Sequence, residues 1–162
     1  MDVYCDIERS KGDGTSDPIQ IGLVKFDMKT RRIVEEKLLN IKARQGIDKR
    51  AARHSHGMPY SGDYLVTRSG QYLETISPER AAEEFNKFIG DSTRLLCHGD
   101  DGVDFITLKS WFYRYDFSDR EFQRIEHVNT SIPYKYFMQQ DLNSPKSGMK
   151  HIVEAYGSEK VL

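Results

Sequence analysis

The chain has 162 residues, with 24 lysines and arginines against 25 aspartates and glutamates. A net charge of −1 calls for no polyanion as a whole, so any attraction to one must come from local patches or bound metal. With 38% hydrophobic and 30% charged residues there is apolar material for one core, at the size of one domain, and no apolar run reaches membrane-spanning length. Asp2 leads straight into a strand pattern without a secretory signal. Cys5 and Cys97 are expected as reduced thiols in core strands of an intracellular protein, cytoplasmic or nuclear.

Residues 2–6 are the first predicted strand, in the stretch Val3-Tyr4-Cys5-Asp6-Ile7-Glu8-Arg9-Ser10. Asp6 and Glu8 stand at i and i+2, which on a strand is the same face. Two carboxylates that close repel unless something positive lies between them, and carboxylate oxygens suit Mg²⁺ or Mn²⁺. The plain alternative is a pair of acids solvating a strand end. Residues 9–17 are a turn-rich loop, 18–26 a second strand, 28–32 a turn and 32–41 a third strand, so the fold opens as an antiparallel meander.

Residues 42–53 carry Lys42, Arg44, Lys49, Arg50 and Arg53 against the single acid Asp48, which reads as a solvated face or as a phosphate contact. His54 and His56 lack the companions of a zinc site. Residues 60–75 read as a hairpin or a loop, and Tyr60, Tyr64 and Tyr72 are candidates either for packing or for stacking on unpaired bases. Ser77, Pro78 and Gly90 mark the cap, first turn and stop of a helix with stripe Ala81, Ala82, Phe85, Phe88 and Ile89. Residues 94–97 are a short buried strand. A helix opened by Asp104 follows, with Phe105, Leu108, Phe112 and Tyr115 at helical spacing and Trp111 beside them. Residues 116–131 give weak signals, with a strand option at 124–128. A short helix is expected at 134–140 and an amphipathic one at 144–156, capped by Ser144 and stopped by Gly157. Strands first, then helices alternating with strands, indicate a mixed sheet with helices on it.

The order of these motifs resembles the DEDD exonucleases (DnaQ-like, DEDDh type) of the ribonuclease-H-like superfamily. Asp6-Ile7-Glu8 followed by Ile19-Gln20-Ile21-Gly22 looks like their first motif and second strand. His56-Gly57-Met58 is similar to their His-Gly-Ile segment, and Leu95 through Asp104 resembles their second motif, where a strand ends in His-Asn and an aspartate opens the next helix. The likeness implies a single exonuclease-like domain over 1–162. Its fold would be an α/β ribonuclease-H-like three-layer one, with helices on both faces of a mixed sheet. It implies a 3′–5′ exonuclease that hydrolyses phosphodiester bonds at the 3′ end of single-stranded DNA or RNA with two Mg²⁺ or Mn²⁺ ions. Asp6, Glu8 and Asp104 would be catalytic and metal-binding, and Arg9, Ser10, His56, Gly57 and Met58 would contact nucleic acid. The family's third motif, His-x-Ala-x-x-Asp-Ala, would follow the helix ending at Gly157. It does not occur in these residues, where Asp141 is the last aspartate and His151 is a poor substitute, so a truncated or incomplete C-terminus is expected. The alternative is a catalytically impaired member of the fold that binds RNA or protein, as the Maelstrom domain does. Ser55-His56-Gly57-Met58-Pro59 loosely resembles that domain, but it lacks the Asp-x-Glu pair. A structural adaptor with no nucleic-acid role is the third option.

Overall fold

The computed structural model describes residues 1–11, 15–50, 57–99 and 102–131. The helices expected at 134–140 and 144–156 lie outside them, as do His54, His56, Asp100, Asp101, Asp141 and His151. In chain order the elements are β1 (Asp2–Arg9), β2 (Pro18–Asp27), β3 (Arg32–Asn40), β4 (Tyr60–Ser61), β5 (Tyr64–Val66), β6 (Tyr72–Glu74), α1 (Pro78–Ile89), β7 (Arg94–Cys97), α2 (Val103–Arg114), α3 (Arg120–Arg124) and β8 (Glu126–Asn129). None of the described helices is long and apolar enough to cross a membrane.

Strand β1 is the axis of a five-stranded sheet in the order β3-β2-β1-β7-β8. Its odd side chains Val3, Cys5 and Ile7 are buried, while Tyr4 and Asp6 are exposed. The expected meander is present: β2 runs antiparallel to β1, and β3 antiparallel to β2. On its other side β1 pairs in parallel with β7, which pairs in parallel with β8. A second, antiparallel sheet of β4, β5 and β6 occupies the segment that read as hairpin or loop.

Helix α1 forms where its caps place it. Ser77 Oγ accepts the Arg80 N–H at 3.2 Å, Pro78 occupies the first turn, and the Gly90 N–H closes onto the Asn86 carbonyl. The buried face of α1, Ala81, Ala82, Phe85, Phe88 and Ile89, joins Val3, Cys5, Ile7, Ile21, Leu23 and Leu39 of the sheet and Leu108, Trp111 and Phe112 of α2 in the main core. Phe85 and Phe112 meet at 5.8 Å between ring centres. The weakly signalled stretch after α2 contains α3, whose Phe122 stacks on Phe112, and then β8. This mixed sheet with flanking helices and an accessory antiparallel sheet is a ribonuclease-H-like α/β fold. Cys5 and Cys97 are free, buried and directly opposite one another across β1 and β7. The hydrogen bond from Cys97 and burial push the Cys5 thiol well above its ordinary range, which keeps it protonated and unreactive.

Two buried carboxylates fasten this framework. Asp2, 3% exposed, takes a two-pronged contact from Arg94 at 2.9 and 2.5 Å, at the start of the β1–β7 pair. Asp17, 1% exposed, sits at the end of the loop after β1. It accepts from Arg114 at 2.6 Å, from the Tyr115 hydroxyl at 2.8 and 2.9 Å and from the Gln45 N–H at 3.2 Å. The C-terminal end of α2 is thereby tied to the loop that leaves β1. Removing one partner of a buried ion pair strands the other, so Asp17→Ala should cost about 2–4 kcal/mol in urea unfolding. A loss below about 1 kcal/mol would mean that water replaces the carboxylate at little cost.

Candidate active site

The period of β1 places Asp6 exposed and Glu8 half-buried on one face, at the carboxyl end of the strand. Asp6 lies opposite Gly22, where a Cβ would meet nothing closer than the Asp6 carbonyl at 3.9 Å. The absent side chain leaves room beside the carboxylate. Glu8 lies opposite Gln20, whose side-chain amide donates to Asn40 Oδ1 at 2.8 Å. Glu8, Gln20 and Asn40 therefore form a polar row across β1, β2 and β3.

Asp104 reaches the same region from α2. Because β7 is parallel to β1 and in register at Cys5 and Cys97, the turn after β7 opens next to Asp6. Gly102 takes the left-handed conformation at φ 62° and starts α2 at Val103, with Asp104 in the first turn. Ligands in open α/β sheets collect at the carboxyl ends of strands in this way. Asp104 is only 7% exposed. Burial first, then the charges of Asp6 and Glu8, push its carboxyl up to about 6 against the pull of Arg9. The Glu8 carboxyl is also raised, by burial and by Asp6, while Arg9 and Arg68 lower it. The three acids share one electrostatic environment, in which burial and mutual repulsion outweigh the arginines.

The other expected site residues divide. Arg9 follows Glu8 directly and is half-buried, with its Nη1 buried and lacking a hydrogen-bond partner among the described residues. Ser10 is fully buried, and its Oγ accepts the Asp17 N–H at 3.1 Å, so the side chain closes the loop rather than facing a ligand. Met58, 8% exposed, belongs to a small core with Ile19, Ala43 and Leu65. Gly57 is left-handed at φ 67° and lies under the Arg68 side chain, while His56 is outside the described residues. Of the basic run, Lys42 turns to Asp63 and to the Tyr60 ring, and Arg44 ion-pairs with Glu79 and stacks on Tyr115 at 4.6 Å. The Tyr60 hydroxyl donates to the Ile41 carbonyl and accepts the Ala43 N–H, the packing role; Tyr64 and Tyr72 are exposed and meet edge to face. The His98 Nδ1 hydrogen-bonds the Thr130 hydroxyl at 2.9 Å, a structural use.

The donor set of Asp6, Glu8 and Asp104, all hard oxygens, suits Mg²⁺ or Mn²⁺ in kind. Among the described residues, however, no three His, Cys, Asp or Glu side chains are gathered closely enough to form a ready-made metal cage.

No known protein family matches the sequence, and no curated protein does. Solved structures do. E. coli Exonuclease I in complex with a dT13 oligonucleotide matches 95% of this chain at a TM-score of 0.70 and 13% identity. A product-bound structure of exonuclease I matches 96% at 0.69 and 14% identity, and Exonuclease I in its apo form 95% at 0.67 and 14%. At this identity the likeness shows a shared fold. The chain spans 35%, 38% and 36% of the length of those three proteins.

The raised Asp104 pKa has a consequence for stability. The native value of about 6 lies above the ordinary aspartate value of about 3.9, so folding loses stability as pH rises between the two. With chelator present, Asp104→Asn should be more stable than wild type by about 2 kcal/mol near pH 7.5, and the gain should vanish near pH 4. Urea unfolding at both pH values checks this; a gain independent of pH would place the Asp104 charge outside the cluster.

Proposed function

We propose that this chain is a 3′–5′ exonuclease domain that removes nucleotides from single-stranded nucleic acid with the help of two divalent ions. The observation that supports the reading is electrostatic: Asp6 and Glu8, at the carboxyl end of β1, both raise the carboxyl of the buried Asp104, in the first turn of the helix that follows β7. The shared fold with Exonuclease I lends support.

In this reading Asp6, Glu8 and Asp104 would hold the ions, Asp6 lying opposite Gly22. Bound Mg²⁺ or Mn²⁺ would supply positive charge and Lewis acidity at the scissile phosphate. Arg9, whose Nη1 lacks a hydrogen-bond partner among the described residues, would orient a phosphate oxygen. Burial of Asp104 excludes water from one side of the cluster and strengthens every charge interaction within it. The general base and the fourth carboxylate belong to a third motif that none of these residues matches. Without a positioned base, turnover should fall by about 10²–10⁴-fold.

The test is a 5′-labelled single strand, DNA or RNA, incubated with the protein and Mn²⁺. Products should shorten stepwise from the 3′ end and disappear with chelator, and closed circles should survive. Asp6→Asn and Asp104→Asn should each lower the rate by about 10²–10³-fold. Cuts in mid-strand, or a rate indifferent to both substitutions, would overturn the proposal. Binding without any metal-dependent shortening would favour the non-catalytic, nucleic-acid-binding reading.

A further inference from the structure

The tip between β5 and β6 brings one more cation to this site. Arg68 stands there, exposed, in a turn held by the Thr67 N–H on the Gln71 carbonyl, the Gly70 N–H on the Thr67 carbonyl and the Gln71 N–H on the Thr67 hydroxyl, at 2.9, 2.9 and 3.0 Å. Its side chain folds back across Gly57, where a Cβ would meet Arg68 Cγ at 2.9 Å and Cδ at 3.1 Å. Gly57 is favoured by its positive φ, and the Arg68 side chain occupies the space that a Cβ there would take.

The hairpin that carries the tip packs on β2 at Ile19, the neighbour of Gln20 opposite Glu8. Leu65 and Met58 share a core with Ile19 and Ala43, the Val66 N–H donates to the Pro59 carbonyl at 2.9 Å, and the Asp48 N–H donates to the Ser10 carbonyl at 2.9 Å. The Arg68 charge is felt at Glu8 from the hairpin side. Arg9 acts on Glu8 and Asp104 from the strand side, with its buried Nη1 lacking a partner among the described residues. Two guanidinium groups therefore act on the acidic residues from two sides. The planar fork of an arginine matches a phosphate.

We propose that Arg68, together with Arg9, forms a phosphate clamp for the backbone of a single strand entering the carboxylate cluster. The hairpin β5–β6 is then a substrate-binding element. This rests on the functional reading above, and the experiment separates the two.

Binding of a labelled oligothymidylate is followed by fluorescence anisotropy in chelator, where no cleavage occurs, over a range of salt. Arg68→Ala should weaken binding about tenfold and lower the slope of log affinity against log salt by about 0.7, one phosphate contact on a single strand. Arg68→Lys should restore the slope but only part of the affinity. Lys29→Ala, the same charge change in the exposed turn between β2 and β3, should leave the slope alone. Calorimetric Mn²⁺ affinity without nucleic acid should be the same in wild type and Arg68→Ala. An unchanged salt slope in Arg68→Ala overturns the clamp; if Mn²⁺ affinity shifts as well, Arg68 is a charge partner of Glu8 instead. Wild-type protein that binds no oligothymidylate overturns the functional reading and the clamp with it.

Discussion

The arrangement depends on one buried contact, the grip of Arg114 and Tyr115 on Asp17. Helix α2, a rigid rod of twelve residues, carries Asp104 at its first turn and this grip at its last. Asp17 in turn sits where the chain turns from β1 into β2, tied to Ser10 by the Asp17 N–H on Ser10 Oγ and the Ser10 N–H on the Asp17 carbonyl. Fixing the far end of the helix to the loop after β1 sets the angle at which the near end approaches Asp6 and Glu8. A charge buried to this degree is tolerated because its oxygens are met by a guanidinium, a hydroxyl and a backbone N–H.

The carboxylate cluster has the opposite character. Asp17 and Asp2 are neutralised where they lie, whereas Asp104 is buried beside two further acids and bears the cost as a raised pKa. Opposing demands of this kind, stability elsewhere and unrelieved charge at one place, are typical of sites built for a ligand. The surroundings agree: a glycine opposite Asp6 and a polar row beside Glu8.

Much of this was legible in the sequence, and the part that was not has a common cause. The β1–β3 meander and α1 announce themselves through alternation and capping, which are local signals. Asp6 and Glu8 follow from strand period, and Asp104 from the change of period after Cys97. The strands β4, β5 and β6 span two or three residues each, too few for alternation to register, and α3 is five residues long. Ser10 and Met58 looked available for a ligand because their burial comes from partners elsewhere in the chain. Asp17 and Arg114 are 97 residues apart, and nothing in either neighbourhood points to the other. Arg68 was likewise silent, because nothing near it in the sequence points to Gly57 or to Glu8.

The most direct test of the account is a crystal structure of the protein grown with Mn²⁺ and examined by anomalous scattering. The account predicts a manganese peak within direct coordination distance, about 2.0–2.3 Å, of carboxylate oxygens from Asp6 and Asp104, with Glu8 turned toward it. A manganese ion bound elsewhere, with the three carboxylates left apart at saturating Mn²⁺, would contradict it.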